Sequence, residues 1–117
     1  MNHNQLIGKW GEQAAVEYLK QKGYTILETN TRTPYGEIDI IASLQGVFFF
    51  VEVKSRTSRT FGLPEEALTP RKLAHMRACA EYYAAKNELE TWQCDAIAVE
   101  GNPGKTPQIE HFENVTC

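Results

Sequence analysis

The sequence predicts an α/β domain in which helices flank a central mixed β-sheet, in the element order α-β-β-β-α-β-β. Apolar residues recur at helical spacing near the start of the chain and again over residues 69–86. Residues 36–56 contain two runs rich in Ile, Val and Phe that meet at Gln45 and Gly46, as in a β-hairpin. A chain of 117 residues can bury one hydrophobic core, so we expect a single domain over residues 1–117.

The first helix is predicted over residues 4–22, because Gly23 follows it and glycine is favoured just beyond a helix end. Gly8 and Gly11 lie inside this helix, where each costs about 1 kcal/mol relative to Ala. We therefore expect them at places where the sheet or another backbone comes close. The first strand is predicted over residues 24–29.

Two segments with turn residues separate the remaining elements. Residues 30–36, which contain a proline and a glycine, are predicted as a loop. Residues 57–70 show no clear period, and we expect them to become ordered on substrate binding. A second helix follows, because Thr69 is a favoured cap and Pro70 suits the first helical position. The last two strands are predicted over residues 92–99 and 109–112.

The hairpin brings acidic side chains together if its turn is centred on the Gln-Gly pair. Asp39 then lies opposite Glu52, and Glu37 lies opposite Lys54, with all four side chains on one face. A two-residue or a symmetric four-residue loop gives this register, whereas a one-residue bulge would break it. The other face is apolar throughout and carries Ile38, Ile40, Ala42, Phe49, Val51 and Val53.

Directly opposed residues have Cβ atoms about 4.5–5.5 Å apart, so Asp39 and Glu52 repel each other unless a cation lies between them. Oxygen ligands suit Mg²⁺ or Mn²⁺ rather than zinc, and the carbonyl of Val53 is a further candidate ligand. Lys54, on the same face, is placed to hold the attacking water. These groups together suit metal-assisted hydrolysis of a phosphodiester bond. The alternative is a solvated hairpin face on which Glu37 and Lys54 form an ordinary ion pair.

Beyond these residues, the chain resembles the YraN-like (UPF0102) family, which is similar to archaeal Holliday-junction resolvases. Asp39 followed by Glu52, Val53 and Lys54 matches the PD-(D/E)xK nuclease motif. The resemblance extends over nearly the whole chain and includes Gly8, Gly11, Glu12, Ala15, Asn30, Arg32, Gly36, Glu37, Ile38, Val51, Arg56, Phe61, Gly62, Pro64, Ala67, Lys72 and Asp95. The family pattern has an Arg-Phe pair before the late Asp, where this chain has Gln93 and Cys94.

The resemblance implies a restriction-endonuclease-like fold and a metal site that holds Mg²⁺ or Mn²⁺. It also favours Glu12 as an additional, water-mediated metal ligand, whereas spacing alone is equally consistent with an exposed helix glutamate. Glu37 is expected to assist Asp39 and Glu52.

Charge and composition bear on the partners. The net charge of −3 argues mildly against nucleic acid, yet six of the twelve Lys and Arg residues fall between positions 54 and 77. Such a stripe is suited to bind phosphates, and the alternative is that these side chains are simply solvated. The candidate phosphate contacts are Arg32, Arg56, Arg59, Arg71 and Lys72.

The polar start and the lack of a long apolar run predict no signal peptide and no membrane span. Three cysteines without metal-type spacing indicate reduced thiols and a cytoplasmic protein.

The sequence therefore predicts a metal-dependent endonuclease that acts on DNA, with branched junctions as the expected structure-specific substrate. Two alternatives stay open: a catalytically silent nucleic-acid-binding or scaffold domain with a nuclease fold, and a nuclease that acts on RNA. A two-fold homodimer is a hypothesis based on the small size of the domain and on analogy.

Overall fold

In the computed structural model, which describes residues 1–58 and 68–116, a mixed β-sheet lies between two helices. The predicted element order α-β-β-β-α-β-β is confirmed. The elements are α1 (His3–Gln21), β1 (Thr25–Thr33), β2 (Gly36–Leu44), β3 (Val47–Arg56), α2 (Pro70–Lys86), β4 (Trp92–Glu100) and β5 (Gln108–Phe112).

The five strands of these described segments are hydrogen-bonded in the order β1-β2-β3-β4-β5. Three neighbouring pairs are antiparallel, and β3 and β4 are parallel. A parallel pair needs a long crossover connection, and α2 lies within that connection. Residues 59–67 belong to the same connection and lie outside the described residues, as does most of the segment expected to order on substrate binding.

The helix ends follow the predicted signals. At the start of α1, Asn2 and Gln5 form a reciprocal capping box, and Gly23 beyond its end has a φ of 95°. At the start of α2, Thr69 Oγ1 accepts the N–H of Lys72 at 3.2 Å, with Pro70 as the first helical residue. None of the described helices is long and apolar enough to cross a membrane.

Two hydrophobic clusters hold the helices to opposite faces of the sheet. On one face, Ala15 and Leu19 of α1 pack with residues of β2, β3 and β4. On the other, Cys79, Ala80 and Ala84 of α2 pack with a second set from the same strands. Successive strand residues point to opposite faces, so β2 and β3 contribute side chains to both clusters.

The predicted hairpin register is confirmed for the paired part of the hairpin, but the predicted pairs Asp39–Glu52 and Glu37–Lys54 lie beyond its last paired position. Gln45 and Gly46 have φ values of 50° and 83°, the two positive values that a type I′ two-residue turn requires. The pairing runs from Leu44 with Val47 to Ile40 with Val51. The next positions, Asp39 and Glu52, are where the acidic pair was predicted, and regular pairing has ended there.

One face assignment was wrong. Ile38 was predicted beside Ile40, but Ile38 packs in the α2 cluster with Phe50, whereas Ile40 packs in the α1 cluster. The strict alternation of faces is interrupted because the regular β2–β3 pairing stops at Ile40.

The predicted loop over residues 30–36 was also wrong. β1 continues to Thr33, where it is paired with Gly36 of β2, so only Pro34 and Tyr35 form the turn. The strand continues through Asn30 although this residue has a φ of 52°, which is unusual inside a strand. The sequence pattern does not predict such a strand. A left-handed residue suits Asn better than most other non-glycine residues.

A buried carboxylate joins the late strands to α1. Asp95 is completely buried and accepts from the backbone N–H of Asn114 at 2.9 Å and from the side chain of Gln93 at 2.9 Å. Its other oxygen contacts Nε2 of His111 at 2.7 Å, and His111 Nδ1 in turn bonds the hydroxyl of Tyr18 at 3.1 Å. These bonds satisfy polar atoms that would be costly to bury without partners, and they connect β5 to β4 and to α1.

Candidate metal and nucleic-acid site

A cavity of about 250 Å³ opens between the β2–β3 hairpin and α2. Three of the predicted acids, Glu37, Asp39 and Glu52, line it together with Lys72 and His75 of α2. The structure therefore brings both members of the predicted acidic pair to one cavity, which a cationic residue of α2 also lines.

Asp39 is fixed by the neighbouring strand. Its Oδ2 accepts the backbone N–H of Val53 at 2.8 Å. In a regular continuation of the hairpin, that N–H would bond the backbone of β2 opposite Val53. The carboxylate thus takes the place of a backbone acceptor where the ladder ends, which orients it toward β3.

Burial and neighbouring acids raise the pKa of Asp39 to about 6. Burial is the largest cause, because it disfavours the charged carboxylate. The hydrogen bond from Val53 acts in the opposite direction, and the negative charges of Glu52, Glu12 and Glu37 raise the pKa further. Asp39 therefore lies near three other acids, and a bound cation would reduce the repulsion between their negative charges.

Glu52 provides the second carboxylate. Its Oε2 is buried and has no hydrogen-bond partner among the described residues. A buried carboxylate oxygen without a partner carries the full cost of its lost hydration. Such an oxygen is the kind of group that a divalent cation binds, and it lies in a residue that shares the cavity with Asp39.

The auxiliary acids are held by Asn30. Its Nδ2 donates to Oε2 of Glu12 at 3.1 Å and to Oε1 of Glu37 at 3.2 Å. Ionised carboxylates only accept hydrogen bonds, so one amide bridges α1 and β2. The role of Asn30 was missed, although the resemblance in the sequence included this residue. Glu12 and Glu37 also line a second, more open surface pocket on the α1 side.

Gly11 sets the position of Glu12. A Cβ built on Gly11 would lie 2.6 Å from Cβ of Ser55 in β3, so α1 meets the sheet where only glycine fits. The prediction that a helix glycine allows close approach is correct for Gly11. It is wrong for Gly8, where an added Cβ would meet nothing within 4 Å.

Lys54 lies beside Lys72. The pKa of Lys54 is lowered chiefly by the neighbouring amine of Lys72, which disfavours a second positive charge, and secondly by burial. The nearby charges of Glu52 and Asp39 act in the opposite direction. The residue as a whole is exposed, and its amine is close enough to Lys72, Glu52 and Asp39 to feel the charge of each.

Three of the other predicted cations, Arg32, Arg56 and Arg71, do not line the cavity. Arg56 approaches Glu100, with Nε 3.7 Å from Oε2, and one of its terminal nitrogens is buried without a hydrogen-bond partner in the described part of the chain. Arg71 is exposed in the first turn of α2, and Arg32 is exposed on edge strand β1. Arg59 lies outside the described residues.

The donor set suits one class of metal ion. Within residues 1–58 and 68–116, no group of three His, Cys, Asp or Glu side chains is arranged to hold an ion by itself. Mg²⁺ usually takes one or two carboxylates, with waters and substrate phosphates as its other ligands. The oxygens of Asp39 and Glu52 fit this pattern, whereas a closed zinc site requires four ligands, mostly Cys and His.

Comparison with known proteins identifies the family. The model of UPF0102, described as an uncharacterised protein family, matches residues 11–99. The chain belongs to the UPF0102 family. A UPF0102 protein of Syntrophomonas wolfei is 49% identical over 113 residues, covering 95% of this chain and 97% of the relative. A UPF0102 protein of Thermus thermophilus is 40% identical over 107 residues, covering 92% and 94%. A third, of Dehalococcoides mccartyi, is 42% identical over 109 residues, covering 92% and 89%.

The UPF0102 match confirms the family predicted from the motifs. The matched range extends from Gly11 to Val99. It therefore includes the residues that line the cavity between the hairpin and α2. It also includes Glu12 and Asn30, which are hydrogen-bonded to each other.

Proposed function

We propose that this UPF0102 protein is a metal-dependent endonuclease that hydrolyses DNA phosphodiester bonds, with branched DNA such as Holliday junctions as its structure-specific substrate. The observation that carries the proposal is the buried, unpartnered Oε2 of Glu52 on the cavity that Asp39 also lines. Burying two carboxylates side by side is unfavourable, and a bound cation removes that cost.

In this proposal Asp39, Glu52 and the carbonyl of Val53 hold Mg²⁺ or Mn²⁺. The bound ion would supply positive charge against the scissile phosphate as a Lewis acid. The hydrogen bond from the N–H of Val53 keeps Asp39 oriented. Glu12 and Glu37, bridged by the amide of Asn30, maintain the negative potential that attracts the cation.

The two lysines, Lys54 and Lys72, are proposed to bind the attacking water and the substrate phosphate. Lys54 is proposed to hold the attacking water, because its amine lies near both acids. Lys72 lines the cavity from the first turn of α2, where it can contact a phosphate oxygen together with the exposed Arg71. Arg32 and Arg56 are proposed to contact more distant phosphates, and Arg59 is proposed as a further phosphate contact. A two-fold homodimer would offer two such sites to the two strands of one substrate.

The decisive test is cleavage by the purified protein of end-labelled four-way junction, flap and linear duplex DNA, with Mg²⁺, Mn²⁺ or EDTA. We expect cutting of the branched substrates only with divalent metal. Asp39→Asn and Lys54→Ala should each abolish it with the fold intact by circular dichroism. Glu90→Gln, an exposed carboxylate before β4, is the matched control and should cut normally.

Binding of these substrates without cutting, in every metal, would contradict the enzymatic proposal. That result would favour a catalytically silent nucleic-acid-binding domain. Cutting of the corresponding RNA strands but not of DNA would instead identify a ribonuclease.

A further inference from the structure

The cavity beside the acidic pair has an apolar half that phosphate chemistry does not require. Its walls there are formed by Ile38 and Phe50 of the sheet and by Met76 and Cys79 of α2. At about 250 Å³ it is smaller than the roughly 300–1,000 Å³ of typical small-molecule pockets. A volume of this order is enough for one nucleobase and too small for a helix or a base pair.

An exposed aromatic side chain stands at the same cavity. Tyr35 is 58% exposed, and its ring meets that of Tyr82 edge-on with centroids 6.2 Å apart. The turn that carries it is fixed, because Thr33 Oγ1 accepts the N–H of Tyr35 at 3.1 Å and donates to the carbonyl of Gly36 at 2.8 Å. The ring is therefore held at the cavity while its surface stays in water, as in aromatic platforms on which bases stack.

The charges around the cavity select the kind of occupant. Glu37, Asp39 and Glu52 repel acidic ligands unless a cation intervenes, while Lys72 attracts a phosphate. A nucleotide satisfies both conditions, because its phosphate would lie at the cation site and its base would enter the apolar half. His75 adds a polar group that can bond the edge of a base.

We propose that this cavity takes a single unpaired nucleobase of the DNA strand, from the nucleotide next to the cleaved phosphate. The inference rests on the proposed nuclease function and narrows its substrate to DNA with an unpaired nucleotide at the cleavage position. Extruding a paired base costs a few kcal/mol, and an already unpaired base avoids most of that cost. A flap supplies unpaired nucleotides at its branch point directly, whereas a fully paired four-way junction must open one base pair there at that cost.

The test compares duplexes that differ at one nucleotide. One carries a single unpaired 2-aminopurine, a second carries the same base paired with thymine, and a third has an abasic residue at the unpaired position. Binding is measured by fluorescence anisotropy in Mg²⁺ with Lys54→Ala protein, which keeps the DNA intact. Cleavage is measured with the otherwise unchanged protein. We expect the duplex with the unpaired base to bind at least about fivefold more tightly than either control. This factor corresponds to the lower end of the free energy of stacking a base on an aromatic side chain.

Two variants connect that preference to the cavity. His75→Trp fills the cavity from an exposed position, and Tyr35→Ala removes the aromatic platform. Both should lose the preference for the unpaired base, whereas Tyr35→Phe should retain it. Leu27→Ala, at an exposed site on β1, is the matched control and should retain it too.

Equal binding of all three duplexes, together with metal-dependent cleavage, would overturn this inference and leave the nuclease proposal standing. A base-dependent preference that His75→Trp abolishes, without any cleavage, would support the cavity assignment and refute the nuclease. A preference that survives both His75→Trp and Tyr35→Ala would place the base elsewhere. Failure to bind any of the duplexes would overturn both.

Discussion

The carboxylate of Asp39 accepts the backbone N–H of Val53 at 2.8 Å. Val53 therefore orients one candidate metal ligand through its N–H, and its own carbonyl is a second candidate ligand. The bond forms where regular pairing of β2 with β3 ends at Ile40 and Val51. The end of the hairpin ladder frees a backbone donor, and that donor holds a carboxylate in a buried position that Asp39 would otherwise avoid.

Replacing Asp39 should change how stability depends on pH. The pKa of Asp39 is about 6 in the folded chain, against an ordinary value of 3.8. The folded state therefore binds more protons than the unfolded state between these values, and the free energy of unfolding falls as pH rises through that window. The loss reaches about 3 kcal/mol above pH 6.

Asp39→Asn keeps an oxygen for the N–H of Val53 but cannot ionise. We expect the variant to match the unmodified protein near pH 4 and to be about 3 kcal/mol more stable near pH 8. Urea unfolding at a series of pH values measures the difference, with Glu90→Gln as control. A stability difference that does not change between pH 4 and pH 8 would contradict the raised pKa.

Divalent metal should stabilise the protein through the acidic pair. A ligand that binds only the folded state at ten times its Kd adds about 1.4 kcal/mol, which corresponds to about 5 °C in Tm. We expect this rise with Mg²⁺ or Mn²⁺, and we expect it to weaken below pH 6, where the metal must displace a proton from Asp39. Thermal unfolding with and without metal is the measurement.

The double substitution Asp39→Asn with Glu52→Gln removes both charges from the proposed ligands and should abolish the metal response. Glu90→Gln removes a charge elsewhere and should preserve it. An undiminished response in the double variant would show that the ion binds at another place.

Asn30 should be intolerant of a negative charge. Its amide donates to both Glu12 and Glu37, and Asn30→Asp replaces that donor by a third carboxylate. We expect a loss of about 1–3 kcal/mol near pH 7 by urea unfolding, and added salt should reduce it because salt screens the repulsion between exposed carboxylates. Asn30→Gly tolerates the φ of 52° and should show a smaller loss that does not depend on salt. Equal losses with equal salt dependence in the two variants would refute the bridge.

Two glycines of α1 should respond to alanine with opposite signs. Gly8→Ala adds a methyl group where nothing lies within 4 Å and should stabilise the helix by up to about 1 kcal/mol. Gly11→Ala places its Cβ 2.6 Å from Cβ of Ser55, so overpacking should outweigh the helical gain and cost about 1–3 kcal/mol.

Chemical denaturation of both glycine variants measures these changes. Gly11→Ala should also lower any metal response, because Glu12 moves with the helix. Stabilisation by Gly11→Ala would show that α1 shifts freely away from β3.

Much of the fold was predictable because its signals are local. Thr69 with Pro70 marks the start of α2, and the Gln45–Gly46 turn sets the hairpin register. Non-local contacts caused the failures. β1 continues through Asn30 because its partner strand supplies the pairing, and nothing near Asn30 in sequence indicates this.

The part of the candidate site that was predictable also depends on local signals. Asp39, Glu52 and Lys54 come from one hairpin, so the turn and the alternation of side chains bring the two acids to one cavity. The contacts that were missed are non-local. The bridge from Asn30 to Glu12 joins two elements, and the contact of Lys54 with Lys72 crosses to α2. Arg56 lies beside Glu100 because β3 and β4 are adjacent and parallel, a relation that spacing does not reveal.

The turn at Gln45 and Gly46 lies six residues from Asp39 along the chain, about 20 Å away in an extended strand. If one residue were inserted or deleted at that solvent-exposed tip and the turn remained a two-residue turn, β2 would slide past β3 by one position and the side chains of one strand would change face relative to the other. An aligned set of UPF0102 sequences can therefore be sorted by turn length alone. In members whose turn differs by a single residue, the residues equivalent to Asp39 and Glu52 are expected not to line the same cavity.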